Sequence, residues 1–244
     1  MKSRRDPQES FQIMAGCPSK IVFIHSLVPL IGVFDRLATE QLGKVSAIHI
    51  LDEPLLKKVQ QQGKFLESDY ERLRSHVHIA ETISASIAIV TCSTFSPAVD
   101  MIRDKSSIPV LKIDENMIKR AVETGSRIGV IATASSTIQP TENALQTAAS
   151  QKGKNISVTT RLVENALALL LKGDAQKHDE MVISAIQDLS TEVDLIVLAQ
   201  ASLARVLAQL PEEAIHIPVL ASPILVLEQA REIINKPKNK TKEK

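Results

Sequence analysis

Along this chain, short runs of almost unbroken apolar, often β-branched residues alternate with longer stretches in which apolar residues recur every third or fourth position. The short runs fall at 20–25, 45–51, 87–91, 110–113, 127–132, 157–162, 194–199 and 219–221. Apolar runs of this length separated by helical patterns predict an α/β fold, a parallel sheet with helices on both faces. The helical stretches have readable starts. Ser68 with Glu71 fits a capping box ahead of Leu73, Val77 and Ala80. Asp174 stands where it can cap a helix carrying Val182, Ile186 and Leu189 on one face. Asp52, before Pro54, reads as a cap for a helix from Leu55, and Ser96-Pro97 and Ser222-Pro223 place a capping hydroxyl before a first-turn proline.

The pattern repeats within the chain. Lys20-Ile-Val-Phe-Ile-His-Ser26 aligns with Arg127-Ile-Gly-Val-Ile-Ala-Thr133, Ile89-Val-Thr-Cys-Ser-Thr94 with Val197-Leu-Ala-Gln-Ala-Ser202, and Ile108-Pro-Val-Leu111 with Ile217-Pro-Val-Leu220. Within these pairs His25 and Ala132, Cys92 and Gln200, and Pro109 and Pro218 stand 107, 108 and 109 residues apart. Three anchors at nearly one offset predict two pseudo-symmetric lobes, each a short parallel sheet with helices on both faces and a ligand cleft between them. The first lobe takes 20–115, with 222–235 packing back on it, and the second takes 116–221. Segments 1–19 and 236–244 are expected to be disordered.

In open parallel sheets ligands bind beyond the carboxyl ends of the strands. The residues falling there are His25 and Ser26, Asp52 and Glu53, the cluster Thr91, Cys92, Ser93 and Thr94, the stretch Thr133 to Thr137, Gln200 with Ser202, and Ser222. Most carry hydroxyls, which suits a small carboxylic acid. Cys92 follows an apolar strand among hydroxyl side chains and precedes a helix start, a setting that lowers a thiol pKa and equips it as base or nucleophile. The competing reading is a buried structural cysteine. His25 is either a general acid or a loop histidine. His76 and His78 lie two apart on one helix and face different ways. His49, His178 and His216 join no carboxylate or cysteine at a ligand-like spacing, so no metal is expected.

Composition narrows the classes. Net charge is +1 and aromatic residues make up 2%, without tryptophan, so neither the field nor the stacking platforms of a nucleic-acid binder are present. With 8 glycines and neither Gly-x-Gly-x-x-Gly nor Gly-x-x-x-x-Gly-Lys, the chain lacks the loops that cradle a dinucleotide or nucleoside triphosphate. Segment 1–20 has no sustained apolar core and no window approaches a membrane span. The expectation is a reduced, cytoplasmic protein without membrane or nucleic-acid partners, whose apolar surfaces allow a homodimer.

The Thr-Cys-Ser-Thr strand end, the second-lobe start Ile128-Gly-Val-Ile-Ala-Thr133 with Thr137, and the duplication resemble the aspartate/glutamate/hydantoin racemase superfamily over about residues 20–230. The resemblance implies two lobes with the substrate between them and, in the racemases, one cysteine from each lobe acting without a cofactor as an acid/base pair on the α-carbon. Arylmalonate decarboxylases and maleate isomerases put the same scaffold to other work. Cys92 matches the first-lobe cysteine, and Thr133 and Thr137 match the region that holds the substrate carboxylate. The second cysteine should stand at position 200, which is Gln200. Glutamine transfers no proton, so three readings follow. A racemase draws its second acid from His25, Asp52 or Glu53. Alternatively, one thiol suffices for decarboxylation or diacid isomerisation. In the third, the scaffold only binds a small acid, with the Gln200 amide N–H₂ as donor. Ser26, Ser93, Thr94, Thr133, Thr137 and Ser202 would position the carboxylate.

Overall fold

The computed structural model describes residues 18–236, apart from 212 and 214. Eight strands form two four-stranded sheets in which every pairing is parallel. The first contains β1 (Ser19–His25), β2 (Val45–Leu51), β3 (Ile87–Val90) and β4 (Val110–Lys112) in the order β2-β1-β3-β4. The second contains β5 (Arg127–Ala132), β6 (Ser157–Leu162), β7 (Leu195–Leu198) and β8 (Val219–Ala221) in the order β6-β5-β7-β8. The sequence repeat is thus a repeat of topology. The central strands β3 and β7, Ile-Ala-Ile-Val and Leu-Ile-Val-Leu, are buried along their whole length. The edge strands β2 and β6 are not, and Ser157-Val-Thr-Thr-Arg-Leu162 accordingly mixes polar with apolar residues.

Nine α-helices surround the sheets among the described residues: α1 (Pro29–Leu42), α2 (Glu53–Gln62), α3 (Glu67–Thr82), α4 (Ser96–Ile102), α5 (Glu115–Thr124), α6 (Ile138–Gln151), α7 (Ala166–Leu171), α8 (Ala175–Ser190) and α9 (Ser222–Asn235). Helix α1 turns Leu30, Phe34 and Ala38, four residues apart, onto the first sheet. Helix α2 starts where its cap predicts: Asp52 Oδ1 accepts from the Leu55 N–H at 3.0 Å, and Gly63 at φ 69° ends it in the left-handed conformation that a side chain would resist. Asp174 caps α8 through the Lys177 N–H.

Three local expectations change. The α3 cap lies two residues earlier than Ser68, with the Asp69 carboxylate accepting from the Leu66 N–H at 2.9 Å. Ser68 instead receives Lys58 Nζ. Neither serine before a proline caps its helix. Ser96 Oγ donates to the buried Asp114 carboxylate at 2.7 Å, and Ser222 Oγ is buried without a partner among the described residues. Ser19 is already part of β1, whereas 1–17 and 237–244 lie outside the described residues.

Four cores of buried residues fill the faces of the sheets. The last helix of each repeat crosses over. Helix α5 leaves β4 but buries Met117, Ile118, Ala121 and Val122 in the second-lobe core. Helix α9 leaves β8 and buries Val226, Leu227 and Ala230 beside Phe23 and Phe34 of the first. Between them Asn116 Nδ2 donates to the Leu225 carbonyl at 2.9 Å. Each buried aliphatic side chain contributes about 1.5–3 kcal/mol, so the crossing helices are integral to both cores.

Candidate active site

In both sheets the chain runs outward from the first strand to one edge and then returns to the other side. The strand order therefore reverses between β1 and β3, and between β5 and β7. The carboxyl ends flanking such a switch point open a crevice. Ser26 and Cys92 follow β1 and β3; Thr133 and Gln200 follow β5 and β7 closely. Both lobes contribute to one cavity of about 300 Å³, which Ser26, Thr91, Cys92, Ser93 and Thr94 enter from the first and Thr137, Gln200 and Ser202 from the second. It continues into a wider interlobe groove of about 910 Å³ that includes Thr133.

The two halves are built alike at backbone level. Cys92 (φ −123°, ψ 112°) and Gln200 (φ −132°, ψ 139°) are both extended, and each opens a 3₁₀ turn in which its carbonyl accepts from the N–H three residues on, Phe95 at 2.9 Å and Leu203 at 3.0 Å. Each also receives the hydroxyl residue that follows the first strand of its lobe. The Ser26 hydroxyl and the N–H groups of Thr94 and Phe95 lie beside the Cys92 sulfur, where they favour its thiolate form. Thr133 donates to Gln200 Oε1 from its backbone N–H at 2.6 Å and from Oγ1 at 3.1 Å, and the Ala134 N–H adds a third bond at 3.2 Å. Gln200 thus holds with its own carbonyl a cluster of donors of the kind that receives an anion. No hydrogen bond among the described residues engages its Nε2.

Burial pushes the Cys92 thiol above its ordinary value, and the bonds from Ser26, Thr94 and Phe95, which pull the other way, only partly offset it. This corrects the expectation of a lowered thiol pKa: the hydroxyls are present, but the side chain is 8% exposed and loses more hydration than they return. Cys92 rests as a neutral thiol that carries a proton into the cavity.

His25 does not face this cavity. Side chains alternate along β1, so His25 shares the side of Phe23 and stacks among Phe23, Phe34 and His49. Thr91 Oγ1 donates to the Ile24 carbonyl, so His25 Nδ1–H donates to Thr91 Oγ1 at 2.8 Å and Nε2 accepts from His49 Nδ1 at 2.9 Å. Burial, reinforced by His49, lowers its pKa to about 3 and keeps the ring neutral. It buttresses Thr91, next to the thiol, and is not placed to protonate a ligand.

Asp52 is also spent elsewhere. Burial alone would raise its pKa, but hydrogen bonds from Arg72 (2.6 and 2.7 Å), His76 (2.7 Å) and the Leu55 N–H outweigh burial and hold it below the usual carboxylate range. Glu53, one residue on, does line the cavity. Of the hydroxyls, Thr137 Oγ1 donates to the Ala134 carbonyl, Thr94 Oγ1 meets Ser136 Oγ across the lobes at 3.3 Å, and Ser202 Oγ is buried without a partner among the described residues. No group of three or more His, Cys, Asp or Glu side chains suited to a metal ion occurs among the described residues. No helix there is long and apolar enough to cross a membrane.

Sequence reasoning missed the apolar part of the lining: Leu27, Leu30 and Leu56 from the first lobe, Leu167 and Leu171 from the second. The available signal was Ala166-Leu-Ala-Leu-Leu-Leu171, an apolar run with too many large residues for one short helix to bury.

No curated protein matches the chain by sequence. Among solved structures it is similar to allantoin racemase from Klebsiella pneumoniae (TM-score 0.68, 13% identity, 88% of this chain and 87% of that one). It is similar also to Picrophilus torridus aspartate racemase (0.67, 14%, 88% and 94%) and to a glutamate racemase from Bacillus anthracis (0.64, 19%, 88% and 81%). At these identities the likeness establishes the two-lobe α/β fold. The model of the Asp/Glu/Hydantoin racemase family matches residues 33–230, most of the chain. By that match the chain belongs to the Asp/Glu/hydantoin racemase family.

Proposed function

We propose that this protein is a cofactor-independent, racemase-like enzyme that makes and breaks a bond to hydrogen at the α-carbon of a small carboxylic acid, with Cys92 as its proton-transfer group. The observation that carries this reading is the placement of one buried thiol in the interlobe cavity, at the switch point of its sheet and amid hydroxyl side chains. The thiolate form of Cys92 removes the α-proton, the electron pair passes into the carboxylate as an enolate, and the Ser202 hydroxyl and Gln200 amide are available to stabilise the oxygen charge. Return of the proton from the same sulfur regenerates the acid.

Facing this thiol in the duplicated lobe is an amide that transfers no proton, so proton return from the same side keeps configuration and gives α-proton exchange without net conversion of the acid. The same feature favours a second reading, decarboxylation. On a malonic acid one carbon–carboxylate bond breaks, carbon dioxide leaves, the pair enters the enolate of the remaining carboxyl group, and the Cys92 S–H delivers its proton to carbon before water restores the thiol. A thiol kept protonated by burial is suited to that delivery.

The test is NMR in D₂O with a panel of amino, hydroxy and malonic acids, comparing wild type with Cys92→Ala. Deuterium entering the α-position with retained configuration, and absent in the variant, is the expected result. Carbon dioxide release lost in Cys92→Ala selects the second reading, and turnover that survives the substitution refutes a role for the thiol.

A further inference from the structure

The walls of the cavity carry a second message, which rests on the first reading of the cleft, α-proton exchange on a small acid. We infer that its substrate is a monocarboxylate with an apolar substituent on the reacting carbon, and not a dicarboxylate. Leu167 and Leu171 stand one turn apart on α7 and so present one face. That face meets Leu27, Leu30 and Leu56 of the other lobe around the same cavity as Cys92. Asn165 (φ 64°) and Gly173 (φ 90°) set the sharp bends on either side of this short helix. Leu171 is 59% exposed, a large apolar side chain at the mouth of the cleft that the described residues leave uncovered.

The polar groups sit at the floor. There Ser202 Oγ and Gln200 Nε2 have hydrogen-bonding capacity unspent among the described residues, enough to take one carboxylate. Among the described residues the charged side chains lining the cavity are Glu53 and Lys57, of opposite sign and one turn apart on α2, for a net charge of zero. No arginine among the described residues lines it. A second carboxylate taken into this cavity would lose its water without a fixed cation to replace it, whereas an alkyl or aryl group is accepted by five leucines. At about 300 Å³ the cavity stands at the small end of ligand pockets, which fits a compact acid.

The inference is tested by binding to the full chain, read by titration calorimetry or saturation-transfer NMR, with isovalerate and phenylacetate set against succinate and glutarate. The expected result is at least tenfold tighter binding of the apolar monocarboxylates, in wild type and in Cys92→Ala alike. Leu171→Arg, at a side chain already largely in solvent, should weaken them about tenfold and favour the dicarboxylates. Equal affinity for the two classes, or binding of neither, overturns the inference. So does tighter dicarboxylate binding that disappears in Lys57→Gln, which would make Lys57 the anchor of a second carboxylate. Because binding is read without turnover, failure of the thiol chemistry leaves this result standing. Cys92-dependent exchange on a dicarboxylate would do the reverse, keeping the proposed function and sinking the substrate class.

Discussion

The two lobes share strand order, backbone conformation at the cleft and a hydroxyl after the first strand, yet they present different atoms to the cavity. In the first, Ser26 and two N–H groups lie beside a thiol that burial keeps protonated. In the second, Thr133 and Ala134 donate to the side-chain carbonyl of Gln200, whose amide nitrogen makes no hydrogen bond among the described residues. Of these donors only Ser26 and Thr133 correspond, since the N–H groups come from after β3 in the first lobe and from after β5 in the second. On the proposed reading, the residue that follows the third strand of each lobe decides whether that lobe can transfer a proton.

Exchanging those two residues is the most severe way to break the comparison. Cys92→Gln would make both lobes proton-inert and lower α-proton exchange by about 10²–10⁴-fold, the usual worth of a general acid/base. Gln200→Cys, with Cys92 kept, would place a thiol on each side and turn retention into racemisation, which chiral chromatography of the exchanged product reads directly. Since a shorter side chain leaves the Thr133 and Ala134 N–H groups without their acceptor, this variant should also lose about 1–3 kcal/mol of stability.

A milder change separates holding from proton transfer. Gln200→Glu preserves the acceptor for Thr133 and Ala134 but replaces a donor with negative charge. Ligand binding should weaken by about 10–100-fold, corresponding to the roughly 1.5–3 kcal/mol of a hydrogen bond to a charged group. The measurement is KM against kcat, with the loss concentrated in KM.

The thiol itself can be titrated by alkylation in a Cys17→Ser background. Because burial favours the neutral form, reaction with iodoacetamide should be slow near pH 7 and accelerate as pH rises through the raised thiol pKa. Ser26→Ala removes a bond that favours the thiolate, so its profile should move further towards alkaline pH. The counterpart in the other lobe, Thr133→Val, deletes one of three bonds to Gln200. It should cost about 0.5–1.5 kcal/mol, seen as a few degrees in Tm with Cys92 alkylation unchanged. A shift in Cys92 reactivity there would show that the two halves of the cleft are coupled.

Much of this architecture is legible in the amino-acid sequence. The repeat offset predicts two sheets of one topology, and strand ends at a switch point predict which residues gather, Cys92 and Gln200 among them. What stays hidden depends on direction and solvation. His25 follows the right strand, but side-chain alternation with Phe23 sends its ring to the opposite face. The hydroxyls around Cys92 suggest an activated thiol, yet the balance tips with the depth of burial, which neighbours in sequence do not report. Gln200 reads as a donor from its chemistry alone, whereas its carbonyl is committed to Thr133 and only the amide nitrogen remains for a ligand. The leucines come from separate segments of both lobes, so no local pattern announces that they meet.

The crossing of α5 and α9 has a consequence for how the molecule can be divided. Each sheet is completed by a helix that grows from the last strand of the other, so the boundary of the sequence repeat is not a place where the chain can be cut into two stable pieces. A fragment ending after α5 would expose the surface that buries Val226, Leu227 and Ala230, and would carry a helix whose partner sheet is missing. A single repeat could satisfy both needs only by trading this helix with a second copy, which is the geometry of a domain-swapped dimer. The present chain encloses that exchange within one polypeptide, and its two lobes should therefore melt in one cooperative transition.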